Sequence, residues 1–171
     1  MNVLPDLHWH LADPRSFLLH NAFLGKGVVK SASLMAVAVP GVISPYGHLN
    51  AERAKEGVFE QIRIEHYPKR PSRLNAFFCF PTRKDAEKAS TTWFKDEGRL
   101  FLELQIVEGS NFFCTDSNLL NAIERDWENA AHRYWSGQVT NDPLYEVVIH
   151  GAMYFTGWEQ KPFGMFANMR P

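Results

Sequence analysis

Cysteine is scarce in this sequence, and long apolar runs are absent. Only Cys79 and Cys114 occur among the 171 residues, both in apolar, strand-like runs. We therefore expect two buried thiols in a reducing compartment, with a disulfide between them left open. The longest apolar stretch, SLMAVAVPGVI, is interrupted by Pro40 and Gly41. It is much shorter than the roughly 20 residues that a membrane-spanning helix needs.

The sequence also has no large excess of positive or of negative charge. The formal net charge is -1, which is too small to attract nucleic acid or a membrane surface over a distance. The N-terminus has no basic flank followed by an apolar segment, the pattern of a secretory signal. The usual phosphate-binding loops and the G-x-S-x-G and H-E-x-x-H motifs are missing as well. We therefore expect a cytoplasmic protein with no membrane partner.

Aromatic residues, by contrast, are abundant at 13%, with thirteen Phe, so we expect an aromatic core in one domain over residues 1–171. Hydrophobic periodicity predicts alternating strands and helices. Strands are predicted at 6–12, 74–80, 98–109, 110–116 and 144–160, and helices at 14–27, from 51 onward, at 82–97 and at 117–137. Residues 28–50 are predicted to be irregular, and whether they close over a ligand is left open. The order predicts an α+β domain with split antiparallel or mixed sheets and flanking helices.

The ends of the predicted helices carry residues that commonly begin or end a helix. Asp13 before Pro14, Thr82 and Ser117 are each expected to cap the helix that follows. Gly137 is expected to end the last helix.

His8 and His10 lie two residues apart in the first predicted strand, so both imidazoles point to one face of it. A metal site there would need a third ligand from His66, His132, His150 or a carboxylate. Because no spacing in the chain resembles a known metal-binding motif, we expect no metal site.

Glu146 stands near the start of the otherwise apolar strand YEVVIH. It is either a residue at the rim of the sheet or a carboxylate that holds a sugar hydroxyl and stabilises a cationic transition state. Glu103, in the alternating strand FLELQ, is expected to lie on a solvated face. Arg73 precedes a buried strand in the basic tract HYPKRPSRLNAFF. It belongs either to a solvated loop or to a site where it binds a phosphate or carboxylate.

The order of these motifs resembles that of the ADP-ribosyltransferase fold family. LHWHLAD is similar to the aromatic-His signature on that family's first strand, and SFLLHNAFLGKGVVKSAS resembles the helix and Gly-bearing turn that follow. RLNAFFCFPTRKDAEKA and LFLELQIVEGSNFFCTD are similar to the next strands and helix. PLYEVVIHGAMYFTGW resembles the strand that opens with the catalytic Glu. The resemblance spans nearly the whole chain and is closest to the DNA-targeting ADP-ribosylating toxins.

The resemblance implies a role for each candidate residue. Glu146 would be catalytic, holding the nicotinamide ribose of NAD and stabilising the oxocarbenium-like state as nicotinamide leaves. His10 would bind a ribose of NAD, and Arg73 its pyrophosphate. Phe77 or Phe78 would stack on the dinucleotide. His8 has no role in the family and is expected to be a structural imidazole.

The function implied is mono-ADP-ribosyl transfer, with NAD as co-substrate, to a protein or nucleic-acid acceptor, by a toxin or a viral or phage effector. No Glu-x-Glu or Gln-x-Glu precedes the candidate carboxylate, which argues against the arginine-modifying pattern. The alternative is a non-catalytic protein of the same fold that binds a nucleotide or a host protein and inhibits it. Either way, His10 and Glu146 are expected to face one cleft.

Overall fold

The computed structural model describes residues 1–38, 53–95 and 97–164. The fold is α+β, with antiparallel sheets and flanking helices, as the sequence predicts. The strands are β1 (Val3–Ala12), β2 (Val28–Lys30), β3 (Phe77–Cys79), β4 (Leu100–Val107), β5 (Asn111–Asp116), β6 (Tyr145–His150) and β7 (Ala152–Phe155). The helices are α1 (Phe17–Leu24), α2 (Ala32–Ala38), α3 (Arg53–His66), α4 (Arg83–Phe94) and α5 (Trp127–Ser136).

The chain divides into two compact units. The first comprises Met1–Lys30, Cys79–Ser110 and the segment from Ala152 onward, and the second comprises Ser31–Phe78 and Asn111–Gly151. The expected single domain over 1–171 stays a prediction.

The first unit is built on a four-stranded sheet with the order β1-β4-β7-β2. In β4 the side chains alternate as predicted. Leu102, Leu104 and Ile106 are buried, and Glu103 is exposed. Helix α4 begins as predicted, because the Thr82 hydroxyl accepts a hydrogen bond from the backbone N–H of Asp85 at 3.1 Å.

The second unit is built on a three-stranded sheet with the order β3-β6-β5, so β6 is its central strand. Helices α3 and α5 pack together around an aromatic core. The indole N–H of Trp135 on α5 donates to the carbonyl of Phe59 on α3 at 2.7 Å. The core contains Phe59, Ile62, Ala76, Phe113, Leu119, Ala130, Ala131, Tyr134, Trp135 and Val148. The predicted aromatic core is therefore present in this unit.

Some local predictions are wrong, and in each case the structure shows the reason. Helix α1 begins at Phe17 after Ser16, not after Asp13, because the Asp13 carboxylate is engaged by the backbone and guanidinium of Arg15. The segment predicted to be irregular contains β2 and α2, and β2 forms by pairing with β7, which no local pattern reveals. Residues 39–50 of that segment lie outside the described residues.

The predicted helix over 117–137 is also shorter than expected. Two 3-10 turns, Ser117–Asn121 and Glu124–Asp126, come before α5. The cap of the first turn is Asp116, whose carboxylate accepts from the N–H of Asn118 at 3.0 Å. Ser117 instead donates its hydroxyl to the carbonyl of Leu144. Gly137 ends α5 with a positive φ of 84°, as predicted.

Only one of the two cysteines has the burial that the sequence predicts. Cys79 is buried, but Cys114 is exposed because side chains alternate along β5. There the flanking Phe113 and Thr115 point inward. No helix in the described part of the chain is long and apolar enough to cross a membrane.

Asp116 fixes the connection between α5 and β6. Its carboxylate is fully buried and accepts hydrogen bonds from the N–H and hydroxyl of Thr140, at 2.8 and 2.6 Å. It also accepts from the N–H of Leu144 at 3.0 Å. Burial alone raises the pKa of Asp116, but the hydrogen bonds from Thr140, Asn118 and Leu144 together lower it below its usual value.

We expect Asp116→Ala to lower the free energy of unfolding by about 2–4 kcal/mol at neutral pH, because buried donors lose their acceptor. The folded-state pKa is below the unfolded one. The stabilisation by the charge is therefore complete above the unfolded pKa and is lost as the pH falls through the folded pKa. Urea unfolding at several pH values measures both effects.

Asp116→Asn is the matched control, since it keeps one oxygen acceptor but cannot titrate. The difference in stability between wild type and Asp116→Asn should shrink below about pH 4. A difference that stays constant from neutral to acidic pH would show that the carboxylate charge adds nothing.

Candidate functional site

Glu146 lies on the central strand of the second unit and is only 4% exposed. The interpretation of Glu146 as a rim residue is therefore wrong. Its neighbours in the strand, Val147 and Val148, are buried as well. A carboxylate in such surroundings is stable only when other groups compensate the loss of water.

Arg73 supplies that compensation. It begins a short 3-10 turn, Arg73–Asn75, just before β3, and it is 3% exposed. Its Nη1 donates to Oε1 of Glu146, forming a buried ion pair, and also to the hydroxyl of Tyr134 at 2.6 Å. The expectation that Arg73 lies in a solvated loop is wrong.

Glu56 provides a second carboxylate from α3, and it is 4% exposed. The Nε of Arg73 lies 3.3 and 3.4 Å from its two carboxylate oxygens. One guanidinium is therefore shared by two buried carboxylates that come from a helix and a strand 90 residues apart in sequence (56 and 146). We call Glu56, Arg73, Tyr134 and Glu146 the buried polar cluster.

Tyr134, on α5, is the fourth member of the buried polar cluster. Its side chain is fully buried, and its hydroxyl donates to Oε1 of Glu146 at 2.7 Å while it accepts from Arg73. Burial raises the pKa of Tyr134 well above its usual value, and the charge of Glu146 acts in the same direction. The phenol therefore keeps its proton and can donate it in the hydrogen bond to Glu146.

The backbone beside Arg73 is tethered by a second group of hydrogen bonds. The Ser72 hydroxyl donates to Glu60 on α3 at 2.9 Å, and the Nε2 of His150 on β6 lies 3.0 Å from the Ser72 carbonyl. Arg63 pairs with Glu60 and donates to the carbonyl of Arg70. Burial lowers the pKa of His150, which favours the neutral ring with its proton on Nε2 in this contact.

The aromatic candidates lie on β3. The guanidinium of Arg73 is 5.1 Å from the ring centroid of Phe78, within the range of a cation–π contact. Phe77 is the preceding residue in the strand, so its side chain points to the opposite face. Both rings are partly buried. Phe78 thus joins Arg73 and Glu146, whereas Phe77 does not share their face.

The two N-terminal histidines belong to the first unit. The ring of His10 packs edge-on against Phe155, with centroids 6.2 Å apart. His8 is buried, with Nδ1 3.2 Å from the carbonyl of Asp6, and burial lowers its pKa. This is the structural imidazole that we expected of His8. The meeting of His10 with Glu146 stays a prediction.

The buried polar cluster can fix a carboxylate in one position and orient it by two donors. Such a group stabilises a positive charge that develops beside it. Arg73 brings its guanidinium into contact with the Glu146 carboxylate and the Phe78 ring. In the described part of the chain, no three His, Cys, Asp or Glu side chains are placed to bind a metal ion.

Sequence reasoning missed Glu56 and treated Tyr134 only as an apolar residue. Glu56 gives a recognisable signal, because it stands three residues before the buried Phe59 and thus on the inner face of α3. A charge on the apolar face of a helix indicates a buried partner. The hydroxyl of Tyr134 gives no such signal, since a core tyrosine and a core phenylalanine occupy the same positions.

Most of the chain is similar to a known family. The model of a family described as "Protein of unknown function (DUF2441)" matches residues 33–160, well over half of the chain. This range includes Arg73, Phe78 and Glu146. No curated protein matches the chain.

We expect Arg73→Met to lower the free energy of unfolding by about 3–5 kcal/mol, because it leaves two buried carboxylates without their counter-ion. Denaturant unfolding followed by tryptophan fluorescence provides the measurement.

Arg125→Met is the matched control in the same unit. Its side chain is 82% exposed, so the same change should cost less than about 0.5 kcal/mol. Equal effects of the two substitutions would show that the buried polar cluster does not stabilise the fold.

Proposed function

The chain belongs to this family of unknown function, and we propose that it is a mono-ADP-ribosyltransferase that uses NAD as co-substrate. The observation that carries the proposal is the contact of Arg73, Phe78 and Glu146 in the second unit. Arg73 and Phe78 lie in one tract and Glu146 comes from a distant strand, and the resemblance gives each of them a role toward the same dinucleotide.

The catalytic role falls to Glu146. The glycosidic C–N bond of NAD breaks, its electron pair leaves with nicotinamide, and positive charge develops on the ribose. A carboxylate held on a central strand by Arg73 and Tyr134 stabilises that charge without having to reorganise. The acceptor nucleophile then bonds to the anomeric carbon of the ribose, and its proton passes to solvent. Because nicotinamide leaves as a neutral molecule, the step needs no strong acid.

The positions of Arg73 and Phe78 are consistent with a role in binding NAD. A guanidinium binds pyrophosphate oxygens through two parallel hydrogen bonds, and an aromatic ring stacks on a base or on nicotinamide. In the proposal His10 binds a ribose, and Phe77 serves as a second stacking ring. The roles of His10 and Phe77 rest on the resemblance, whereas Phe78 contacts Arg73, which belongs to the cluster.

The burial of the cluster sets a condition on this mechanism. Since the side chains of Arg73 and Glu146 are 4% and 5% exposed, the ribose of NAD reaches the carboxylate only when Arg73 moves aside. The pyrophosphate offers Arg73 an alternative anionic partner. Binding of NAD and exposure of Glu146 are therefore coupled in the proposal.

The same burial supports one alternative, a non-catalytic protein of this fold that binds a nucleotide or a host protein. There, Arg73 and Glu146 form a permanent structural ion pair, and no group is presented to NAD. This alternative predicts binding without release of nicotinamide, which distinguishes it from the enzyme.

The acceptor in the proposal is a protein or a nucleic acid, and the site of action is the cytoplasm. The expectation of a reducing compartment rests on the low cysteine content of the sequence. A role as a toxin or as a viral or phage effector follows from the resemblance to the DNA-targeting ADP-ribosylating toxins.

To test the enzyme, purified protein is incubated with NAD labelled in its ADP-ribose moiety and with a cell lysate as the source of acceptor. We expect nicotinamide release and a labelled macromolecule, whose sensitivity to protease or nuclease identifies its class. Glu146→Gln keeps the size and one oxygen acceptor but loses the charge, so the rate should fall about 100-fold or more.

Glu103→Gln is the matched control, since Glu103 is an exposed strand carboxylate and should leave the rate unchanged. Unfolding curves show that both variants are folded. If wild type releases no nicotinamide, or if Glu146→Gln is as active as wild type, Glu146 is not the catalytic carboxylate of a transferase. Binding of NAD without turnover would favour the alternative.

A further inference from the structure

A pair of histidines lies at the end of α3, on the surface of the second unit and outside the site described above. His66 is the last residue of α3, and His132 lies in the middle of α5. Their ring centroids are 4.8 Å apart, and the planes are inclined by 54°. His66 is 51% exposed and His132 is half-buried, so an ion from solution can reach the pair from the side of His66.

This separation fits two imidazoles that share one metal ion. With metal–nitrogen bonds of about 2.0–2.1 Å and an angle between them of about 90–110°, ring centroids lie roughly 4.6–5.3 Å apart. Neutral imidazole is the commonest protein ligand for divalent transition metals. We propose that His66 and His132 form a surface binding site for a divalent transition-metal ion such as Zn²⁺, with water completing the coordination.

The surroundings hold both rings in place. The hydroxyl of Tyr67, the residue after His66, donates to the backbone carbonyl of His132 at 3.2 Å. The Tyr67 ring also packs edge-on against both imidazoles, with centroid distances of 6.5 and 6.0 Å. The end of α3 is thus fixed to α5 at the point where the two imidazoles meet. Little conformational entropy then has to be lost on binding.

A carboxylate lies beside one of the rings. Oε2 of Glu65 is 3.8 Å from Nε2 of His66, while its Oε1 accepts from the side-chain amide of Gln61 at 3.0 Å. A carboxylate next to one ring nitrogen orients an imidazole and makes its other nitrogen a better metal ligand. Glu65 therefore acts as a positioning residue in the proposal.

A metal held in this way links two helices. The ion binds the folded arrangement and not the unfolded chain, so it stabilises the fold by mass action. Helix α3 carries Glu56 and α5 carries Tyr134, which are two of the four residues of the buried polar cluster. The ion would therefore stabilise the packing of the two helices that supply them. The proposal does not depend on transferase activity, and its test needs no NAD.

The probe is Zn²⁺ alone, titrated calorimetrically into tag-free wild-type protein and into His66→Ala, His132→Ala and the double variant. We expect one ion per chain in wild type and a loss of affinity of about tenfold or more in each single variant. The double variant should be no worse than either single one, because a shared ion needs both rings. Wild type alone should also show a rise in Tm with Zn²⁺.

His20→Ala is the control, since His20 belongs to the first unit and should not affect the binding. Circular dichroism shows that each variant is folded. No binding to wild type, unchanged affinity in either single variant, or additive losses that indicate two independent imidazoles would each overturn the proposal.

Discussion

The sharing of one buried guanidinium between two buried carboxylates is the constraint on which the second unit depends. Arg73 comes from a 3-10 turn, Glu56 from α3 and Glu146 from β6, and the Tyr134 hydroxyl joins them from α5. None of these charges is stable in the protein interior by itself, because each loses several kcal/mol of hydration. The helices and strands that carry them must therefore be in place together.

The same cluster has two consequences for function. It orients a carboxylate on a rigid strand, as a group that stabilises a developing cation must be oriented. The cluster also makes this carboxylate inaccessible to a ligand, because the Arg73 guanidinium that positions Glu146 is itself paired with the carboxylate oxygen. In the proposed transferase, the pyrophosphate of NAD is the anionic group that would draw Arg73 away from Glu146. A protein that never binds a pyrophosphate would keep the cluster purely as a structural element.

Sequence patterns predicted those features that depend on local chemistry. The helix with Thr82 as its cap and the alternation along β4 follow from spacing alone, and the structure confirms both. Sequence patterns gave wrong predictions where contacts between distant residues determine the local structure. Asp116 satisfies donors 24 and 28 residues away, at Thr140 and Leu144, and this reshapes the segment that had been predicted as one helix.

In the candidate site, too, the sequence identifies some residues, while others become apparent only from tertiary contacts. Glu146 and Arg73 could be selected because charged residues are unusual beside buried strands, and Phe78 was selected through the family resemblance. Glu56 and Tyr134 could not be assigned to the same site from the sequence, because only the packing of α3 and α5 brings these two side chains to Arg73. No single-sequence pattern shows which helix supplies the second carboxylate.

A double-mutant cycle on Arg73→Met and Glu146→Met, measured by urea unfolding, tests most directly whether the buried ion pair organises this unit. Each single substitution should destabilise strongly, and the double variant should be more stable than the sum of the two losses implies. We predict a coupling energy of about 2–3 kcal/mol. Losses that add to within about 0.5 kcal/mol would contradict the account, because Arg73 and Glu146 would then act independently.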